Sequence, residues 1–545
     1  MTLERTDSAS TLAEGPARRR PDRLIIPLLV AIVVVGGTVR FAGVTWGLPL
    51  LLHPDEWVVV GGAIDLAERN SFAPAYFFRP DHLEIQLSYL AFQAWSHLVM
   101  GMPAEAAYAI SPAPFYAISR ALTAAFGTAM IPLAYLIGRD HSRWAGLFAA
   151  FGIAFFPPFV EHSRYATPDI PLAFTVLVVL YACIAYTRTS SWWWLALACL
   201  GVAAGITVKY PAIVGTAAIA AVVIVDALRH RAPLRIVSRG GAAIGMVVGM
   251  TFLLSPTLFT NASEVARQFS VQNAGTHLGA GGLGFFGNAA FYVTTFVESG
   301  GVLVAVFAGV GVVALLLRDW GTLVPYMIGL VYWIALSSLS LHWDRWGLPV
   351  YAVTIVLGGI GVHTLWSMCA GLRRQRVPAR AAVAVIASLS GVTLLAGTAA
   401  QVAYAAAPDT RSTAAGELQA LGATPANTAF DGYTPFHPQG PGSIASGLTL
   451  TEGQPAASDG SGDVRYVLTS SLMSDRYLAE PERQPQFDLY SAVAELPVVE
   501  VWGSLGLPPR SPVELTQIVA AGDYVHRLLR GATVGPELTL YRLPN

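Results

Sequence analysis

Charge is scarce in this chain. Only 12% of its 545 residues are Asp, Glu, Lys or Arg, against 54% hydrophobic ones, where a water-soluble protein carries about a quarter charged residues. That shortage excludes a soluble globular chain and leaves a polytopic membrane protein. Lysine is rarer still, since Lys209 is the only one. Cysteine is limited to three, with Cys183 and Cys199 inside apolar runs and Cys369 near the end of one. No disulfide framework is indicated. A cleavage site of small residues is also missing after the polar, Arg-rich residues 1–23. The first apolar run therefore reads as a retained anchor, and 1–23 as a cytoplasmic tail.

What is present is a series of apolar runs, each about 20 residues long and so able to cross a bilayer. They begin near residues 24, 83, 114, 144, 168, 192, 210, 240, 298, 321, 347 and 381. With all of them crossing, the arginine clusters fall on alternating sides. Without the run at 83–102, which carries Glu84, Gln86, Gln93 and His97, they fall on one side. About eleven crossings from a cytoplasmic N-terminus put Arg18–Arg20, Arg139/Arg143, Arg188, the arginines of 229–239, Arg318 and the arginines of 373–380 inside, as the positive-inside rule requires. The 83–102 run then reads as a helix lying at the outer interface. The membrane part spans 24–404, with a long first outer loop at 45–113. Residues 405–545 form an extracytoplasmic tail, read as a separate small mixed α/β unit. It holds strand-like runs at Tyr466–Leu468, Val498–Val501 and Leu538–Tyr541, a helix within 475–496 and a mobile loop at 438–462. The fold class is all-α polytopic membrane protein with that tail appended. The outer loop at 260–297 reads as a flap.

The charges left on the outer face come from separate loops yet share one level of the membrane. Asp55 and Glu56 stand in His53-Pro54-Asp55-Glu56-Trp57, directly after the first crossing. The same loop holds Arg79, Asp81, His82 and Glu84. Arg120 opens the second crossing, and Glu161, His162, Arg164 and Asp169 surround the next outer turn. Lys209 ends the fifth crossing, and His342-Trp343-Asp344-Arg345-Trp346 lies between the ninth and tenth. Ionisable groups at a bilayer edge are usually paired or functional. Plainer readings stand beside that one. Asp169 would cap the helix beside Pro168, Arg120 and Arg345 would snorkel, and Lys209 would anchor its span. His82 and His162 would be ordinary loop histidines.

In order and sidedness these segments resemble the GT-C superfamily, and within it the protein O-mannosyltransferase and aminoarabinose-transferase-like group. The matching segments are His53-Pro54-Asp55-Glu56, Ser119-Arg120, Ile137-Gly138-Arg139, Ser163 to Asp169, Asp344 to Pro349, and Ser474 to Leu478 in the tail. The chain departs from the group at Pro80-Asp81-His82-Leu83-Glu84, where His-Pro-Pro is common, and at Trp346, where Tyr is usual.

The resemblance implies an integral glycosyltransferase of the inner (plasma) membrane. It would move a sugar, mannose first, from a polyprenyl-phosphate donor to a hydroxyl of a protein, glycolipid or glycan on the outer face. Membrane lipid is then a partner and nucleic acid is not. Asp55 would be the base, with Glu56 and Asp169 as further catalytic acids. Arg120, Arg164, Lys209, His342 and Arg345 would bind substrate, the cations holding the departing phosphate. Burial would raise the Asp55 pKa and improve it as a base. One carboxylate without a covalent intermediate implies inversion; retention, which needs a nucleophile close to the anomeric carbon, stays open. No cofactor is fixed. Relatives differ over a divalent cation, Mg or Mn, for which His53, His82, Glu84 and Asp169 are available without a diagnostic spacing. Two other classes remain open: a secondary transporter, which would carry its charges at mid-membrane and show repeats, and a non-catalytic scaffold of the same fold.

Overall fold

The computed structural model describes residues 24–273, 278–318, 320–372, 375–436, 444–451, 453–458 and 464–544. The Arg-rich tail 1–23, Arg373, Arg374 and residues 438–443, 452 and 459–462 of the expected mobile loop lie outside the described residues, while the rest of that stretch is ordered into the helix Ile444–Gly447 and an antiparallel pair of strands, Leu448–Thr451 and Gln454–Ala457. Among the described residues six helices are long and apolar enough to cross a membrane: Ala113–Gly138, Asp169–Thr189, Tyr210–Arg229, Leu234–Leu254, Asp344–Gly371 and Arg376–Ala406. A seventh candidate is the pair Gly284–Gly300 and Val302–Leu316, bent by 117°. Shorter apolar helices occupy Ile25–Phe41, Arg143–Phe155, Trp192–Val208 and Gly321–Ser337. The eleven runs expected to cross each fall on one of these elements. Helices such as Leu234–Leu254 keep Leu234, Ile244 and Leu253 exposed, an outward apolar surface that suits lipid. The chain is a multi-pass membrane protein.

Lipid supplies little hydrophobic drive between helices, so close backbone approach holds them together. Val302–Leu316 crosses Leu348–Met368 at Gly311 and Gly361. A Cβ on Gly361 would sit 1.8 Å from the Phe307 carbonyl oxygen, so a side chain there would force the pair apart. Near the C-terminal end of Ile25–Phe41, the fully buried Arg40 donates to the carbonyls of Gly36, Ile153 and Ala154 at 2.6–2.9 Å. That contact also satisfies the end of Arg143–Phe155, which would otherwise leave unpaired acceptors.

The first outer loop is folded. It contains helices Glu56–Glu68, His82–Trp95 and Ala104–Ile110, joined by a cluster of Val60, Ile64, Ile85, Phe92 and Phe115. The segment at 260–297 is not a free loop. It carries helices Ala262–Asn273 and Gly284–Gly300, because the run after Gly284 keeps apolar side chains on the face turned to its neighbours.

The tail forms a four-stranded sheet in the spatial order Thr428–Phe430, Tyr466–Ser470, Leu538–Arg542, Val498–Trp502. The first pair is parallel and the other two antiparallel. It is docked rather than free-standing. Its helix Glu514–Leu529 lies on Arg376–Ala406 through Ala521, Tyr524 and Leu528, packed with Trp46, Tyr165 and Tyr404 of the membrane part.

Candidate active site

Asp55 and Glu56 part company at the start of their helix. Consecutive helical residues point about 100° apart, and here one turns out and the other in. Glu56 is 0% exposed and takes both Arg120 Nε and Nη2, at 2.8 and 2.7 Å. It also accepts the Ala166 N–H at 2.8 Å, while Arg120 Nη1 donates to the carbonyls of Val44 and Trp46. Every polar atom of this pair is satisfied inside the protein. In this structure Arg120 has no nitrogen left without a partner for a substrate phosphate, and Glu56 no oxygen without one. Arg164 donates to Gln401 at 2.9 and 3.0 Å and lies between the rings of Tyr165 and Tyr404, with its Nε buried and without a hydrogen-bond partner. His342 stands apart, its ring against Phe291 and its backbone N–H on the Ala280 carbonyl.

The remaining residues meet. Asp55 Oδ2 lies 2.7 Å from Arg345 Nη1 and 3.5 Å from Arg79 Nη1. Arg79 also donates to Asp81 at 2.9 Å. Lys209 Nζ donates to Asp169 Oδ1 at 2.9 Å, so the Asp169 side chain is held by a cation rather than spent on its helix end. Arg345 Nε comes within only 3.9 Å of Asp169 Oδ2, beyond hydrogen-bond reach, and both atoms are buried without a hydrogen-bond partner. Local chain geometry builds this cluster. The Asp81 N–H bonds the Val208 carbonyl, which ties the first loop to the residue before Lys209. The Tyr210 hydroxyl bonds the Phe77 carbonyl on the same seam.

Arg79, Lys209 and Trp346 line a cleft of about 570 Å³, completed by Tyr210, Tyr332 and Phe269 of the 260–297 segment. Lys209 Nζ sits 5.2 Å from the centre of the Trp346 ring. Of the three aspartates in the cluster only Asp55 has an accessible side chain, at 30%, against 0% for Asp81 and 1% for Asp169. Burial opposes ionisation of Asp55, but Arg345 and Arg79 outweigh it and hold its carboxyl well below the usual range. The expected upward shift does not occur, because two guanidiniums sit where lipid was expected. Asp81, more deeply buried, is pushed up to about 6 despite Arg79, and burial carries Glu84 well above the usual range.

The residues available to a divalent cation do not converge. His82 uses both ring nitrogens on Ser255 and the Tyr76 carbonyl, while His53 Nδ1 accepts the Asp55 N–H. Among the described residues no three His, Cys, Asp or Glu side chains are grouped so as to hold a metal.

Two members of the site were not singled out by sequence. Arg79 stood in the charge census, and its spacing from Asp81 was the available signal. Arg510, in the tail, bridges Asp344 and Glu161 at 3.2 Å each, and its sequence surroundings gave no signal.

Residues 88–268 match the family model of dolichyl-phosphate-mannose-protein mannosyltransferase. That span includes Asp169 and Lys209 but neither Asp55 nor Arg345. No curated protein matches the chain. Among solved structures, the oligosaccharyltransferase of Archaeoglobus fulgidus in its apo form aligns over 88% of this chain and 73% of its own. The TM-score is 0.56 and the identity 14%. The same enzyme tethered with an acceptor peptide gives 86%, 72% and 0.53. The fold is GT-C. ArnT from Cupriavidus metallidurans bound to undecaprenyl phosphate aligns more loosely, over 85% of this chain and 95% of its own, with a TM-score of 0.47 at 15% identity. The family model covers about a third of the chain, and the solved structures, at 14% identity, speak for the fold.

Proposed function

We propose that the chain transfers mannose from a polyprenyl-phosphate carrier to an acceptor hydroxyl on the outer membrane face, with inversion and with Asp55 as base. The observation that carries this reading is that Arg345 and Arg79 converge on one accessible carboxylate, Asp55, while Arg79 also lines a cleft with Lys209, itself held on Asp169. The cluster is balanced at rest, with Asp55, Asp81 and Asp169 against those three cations. A donor phosphodiester adds one negative charge and competes for the guanidiniums on Asp55. As Arg345 and Arg79 turn to the phosphate, Asp55 loses the partners that suppress its basicity. It then takes the acceptor proton while the acceptor oxygen bonds the anomeric carbon and the carbon–oxygen bond to phosphate breaks. The cations receive the charge that develops on the leaving phosphate.

A groove of about 950 Å³, lined by Ile213, Val223, Ile244, Val247 and Phe259, begins three residues beyond Tyr210 of the cleft. Its apolar walls suit the carrier's tail. Arg188, Arg229, Arg318 and His141 gather at the opposite ends of the helices, which supports a cytoplasmic N-terminus and an outer tail. The acceptor is a peptide hydroxyl in this reading, by analogy with the matched family.

The test offers membranes containing the wild type or Asp55→Asn a panel of labelled polyprenyl-phosphate sugars with a Ser/Thr peptide. Transfer of mannose by the wild type alone, at equal protein levels, supports the assignment. Transfer that survives the substitution removes Asp55 as base, and silence with every donor removes the reaction.

A further inference from the structure

The tail enters the site at one point. Residues 503–513 run from the edge strand Val498–Trp502 to the helix Glu514–Leu529, and the C-terminal end of that segment is fastened to the membrane part. The Val302 N–H donates to the Pro512 carbonyl at 2.9 Å, and the Leu303 N–H donates to Glu514 Oε1 at 2.7 Å. Glu514 thereby satisfies a free donor at the start of Val302–Leu316. Gln517 Nε2 braces the Pro509 carbonyl at 2.9 Å. Two prolines precede Arg510 and stiffen its approach.

So held, the Arg510 guanidinium lies between two carboxylates of the membrane part. Nη1 is 3.2 Å from Asp344 Oδ2, and Nη2 is 3.2 Å from Glu161 Oε2. Gln401 donates to the same Glu161 oxygen at 3.0 Å. The other oxygen of Asp344 accepts the backbone N–H of Arg345 at 2.7 Å. A continuous chain of contacts therefore runs Arg510–Asp344–Arg345–Asp55, from the tail to the accessible carboxylate. Remove the first cation and Asp344 keeps His162 and Arg345 as charged neighbours while Glu161 keeps Arg164, so that Arg345 is the guanidinium left to be drawn toward Asp344.

We infer that Arg510 is a positioning residue for sugar transfer: the docked tail supplies the cation that neutralises Asp344 and Glu161, and so keeps the Arg345 guanidinium on Asp55. The tail is then part of the catalytic unit rather than an appended acceptor-binding module. This inference rests on the proposed transfer reaction for its kinetic consequence but not for its geometry.

The experiment uses the full chain in lipid nanodiscs, as wild type, Arg510→Ala, Arg510→Lys and the exchanged pair Arg510→Asp with Asp344→Arg. Carbodiimide labelling, which modifies protonated carboxyls, is read at Asp55 by mass spectrometry from pH 4 to 8. Arg510→Ala should label Asp55 several-fold more at pH 5, as Arg345 leaves it for Asp344. Arg510→Lys should fall near the wild type, and the exchanged pair should recover part of the protection. Where transfer is measurable, Arg510→Ala should lower kcat about tenfold or more with a smaller change in KM. The acidic limb of its kcat/KM profile should move to higher pH. Equal labelling of wild type and Arg510→Ala overturns the inference, whatever the activity. Thermal unfolding of the same samples separates this from loss of fold, since unfolding would expose every buried carboxylate and not Asp55 alone. A wild type silent toward all donors counts against the reaction, while the labelling still judges Arg510.

Discussion

Glu56–Arg120 and Asp55–Arg345 are the same chemistry one residue apart, and they end in opposite environments. The first pair is bidentate, fully buried and satisfied at each polar atom, with backbone carbonyls of Val44 and Trp46 and the Ala166 N–H completing it. The second is single-pronged and accessible, and leaves Arg345 Nε without a hydrogen-bond partner. A closed pair fixes geometry and has no capacity for a ligand. An open pair has donors and charge in reserve, held in place by other pairs such as Lys209–Asp169. Charge count alone does not separate them; the completeness of hydrogen bonding does.

The largest expected effect breaks the closed pair. Removing one partner of a buried ion pair strands the other and costs about 3–5 kcal/mol. Arg120→Ala or Glu56→Ala should therefore lose most folded protein, read as the monodisperse fraction and the melting midpoint in detergent. The double substitution Glu56→Gln with Arg120→Met should recover part of it, because no charge is then stranded. A single variant that folds normally yet cannot transfer sugar would return both residues to the catalytic list.

Asp55→Asn breaks the open pair with the opposite signature. Arg345 and Arg79 retain Asp81, Asp169 and solvent as partners, so the melting midpoint should move little. Activity should fall by about 10²–10⁴, the range associated with loss of a general base. A variant that unfolds like Arg120→Ala would mean that the two pairs do not differ as described.

How far the sequence foretold this contrast depends on what each residue's role requires. The order of apolar runs and the sidedness of arginine gave the helices and the level of the site, because both follow from the cost of polar groups in lipid. Asp55, Asp169, Lys209 and Arg345 were legible as a group for the same reason. Which of two adjacent carboxylates turns inward is a matter of helix phase, and residues 54–58 offer no apolar pattern to set it. Arg510 lies 166 residues along the chain from Asp344, within a polar tail where an arginine costs nothing. Only the docking of Glu514–Leu529 on Arg376–Ala406 brings it to the site.

A smaller effect sharpens the comparison through pH. In the free protein the guanidiniums hold the Asp55 carboxyl well below its usual range, and the active form is ionised. Activity must then fall as pH drops through that pKa. The acidic limb of kcat/KM reports the free protein, and that of kcat the donor complex. If the phosphate takes the guanidiniums, the Asp55 pKa rises in the complex and the kcat limb lies at higher pH. Coincident limbs would mean that Arg345 and Arg79 stay on Asp55 throughout, and the exchange would be wrong.

The smallest effect concerns a carboxylate that is closed but lacks a cation. Asp431, in the tail, is 0% exposed and accepts the Tyr490 hydroxyl and the Ser470 N–H. Burial pushes it up to about 7, against the pull of those two hydrogen bonds. The sign follows from linkage: a folded-state pKa above the unfolded value means that the folded tail binds the proton more tightly. The stabilisation is complete below about pH 4 and is lost as pH rises through about 7. Strand Tyr466–Ser470 and helix Gln484–Ala494, which meet at this residue, should exchange amide hydrogen faster at pH 8 than at pH 5 once intrinsic rates are removed. Asp431→Asn should flatten that dependence. A dependence that survives in Asp431→Asn would place the titrating group elsewhere in the tail.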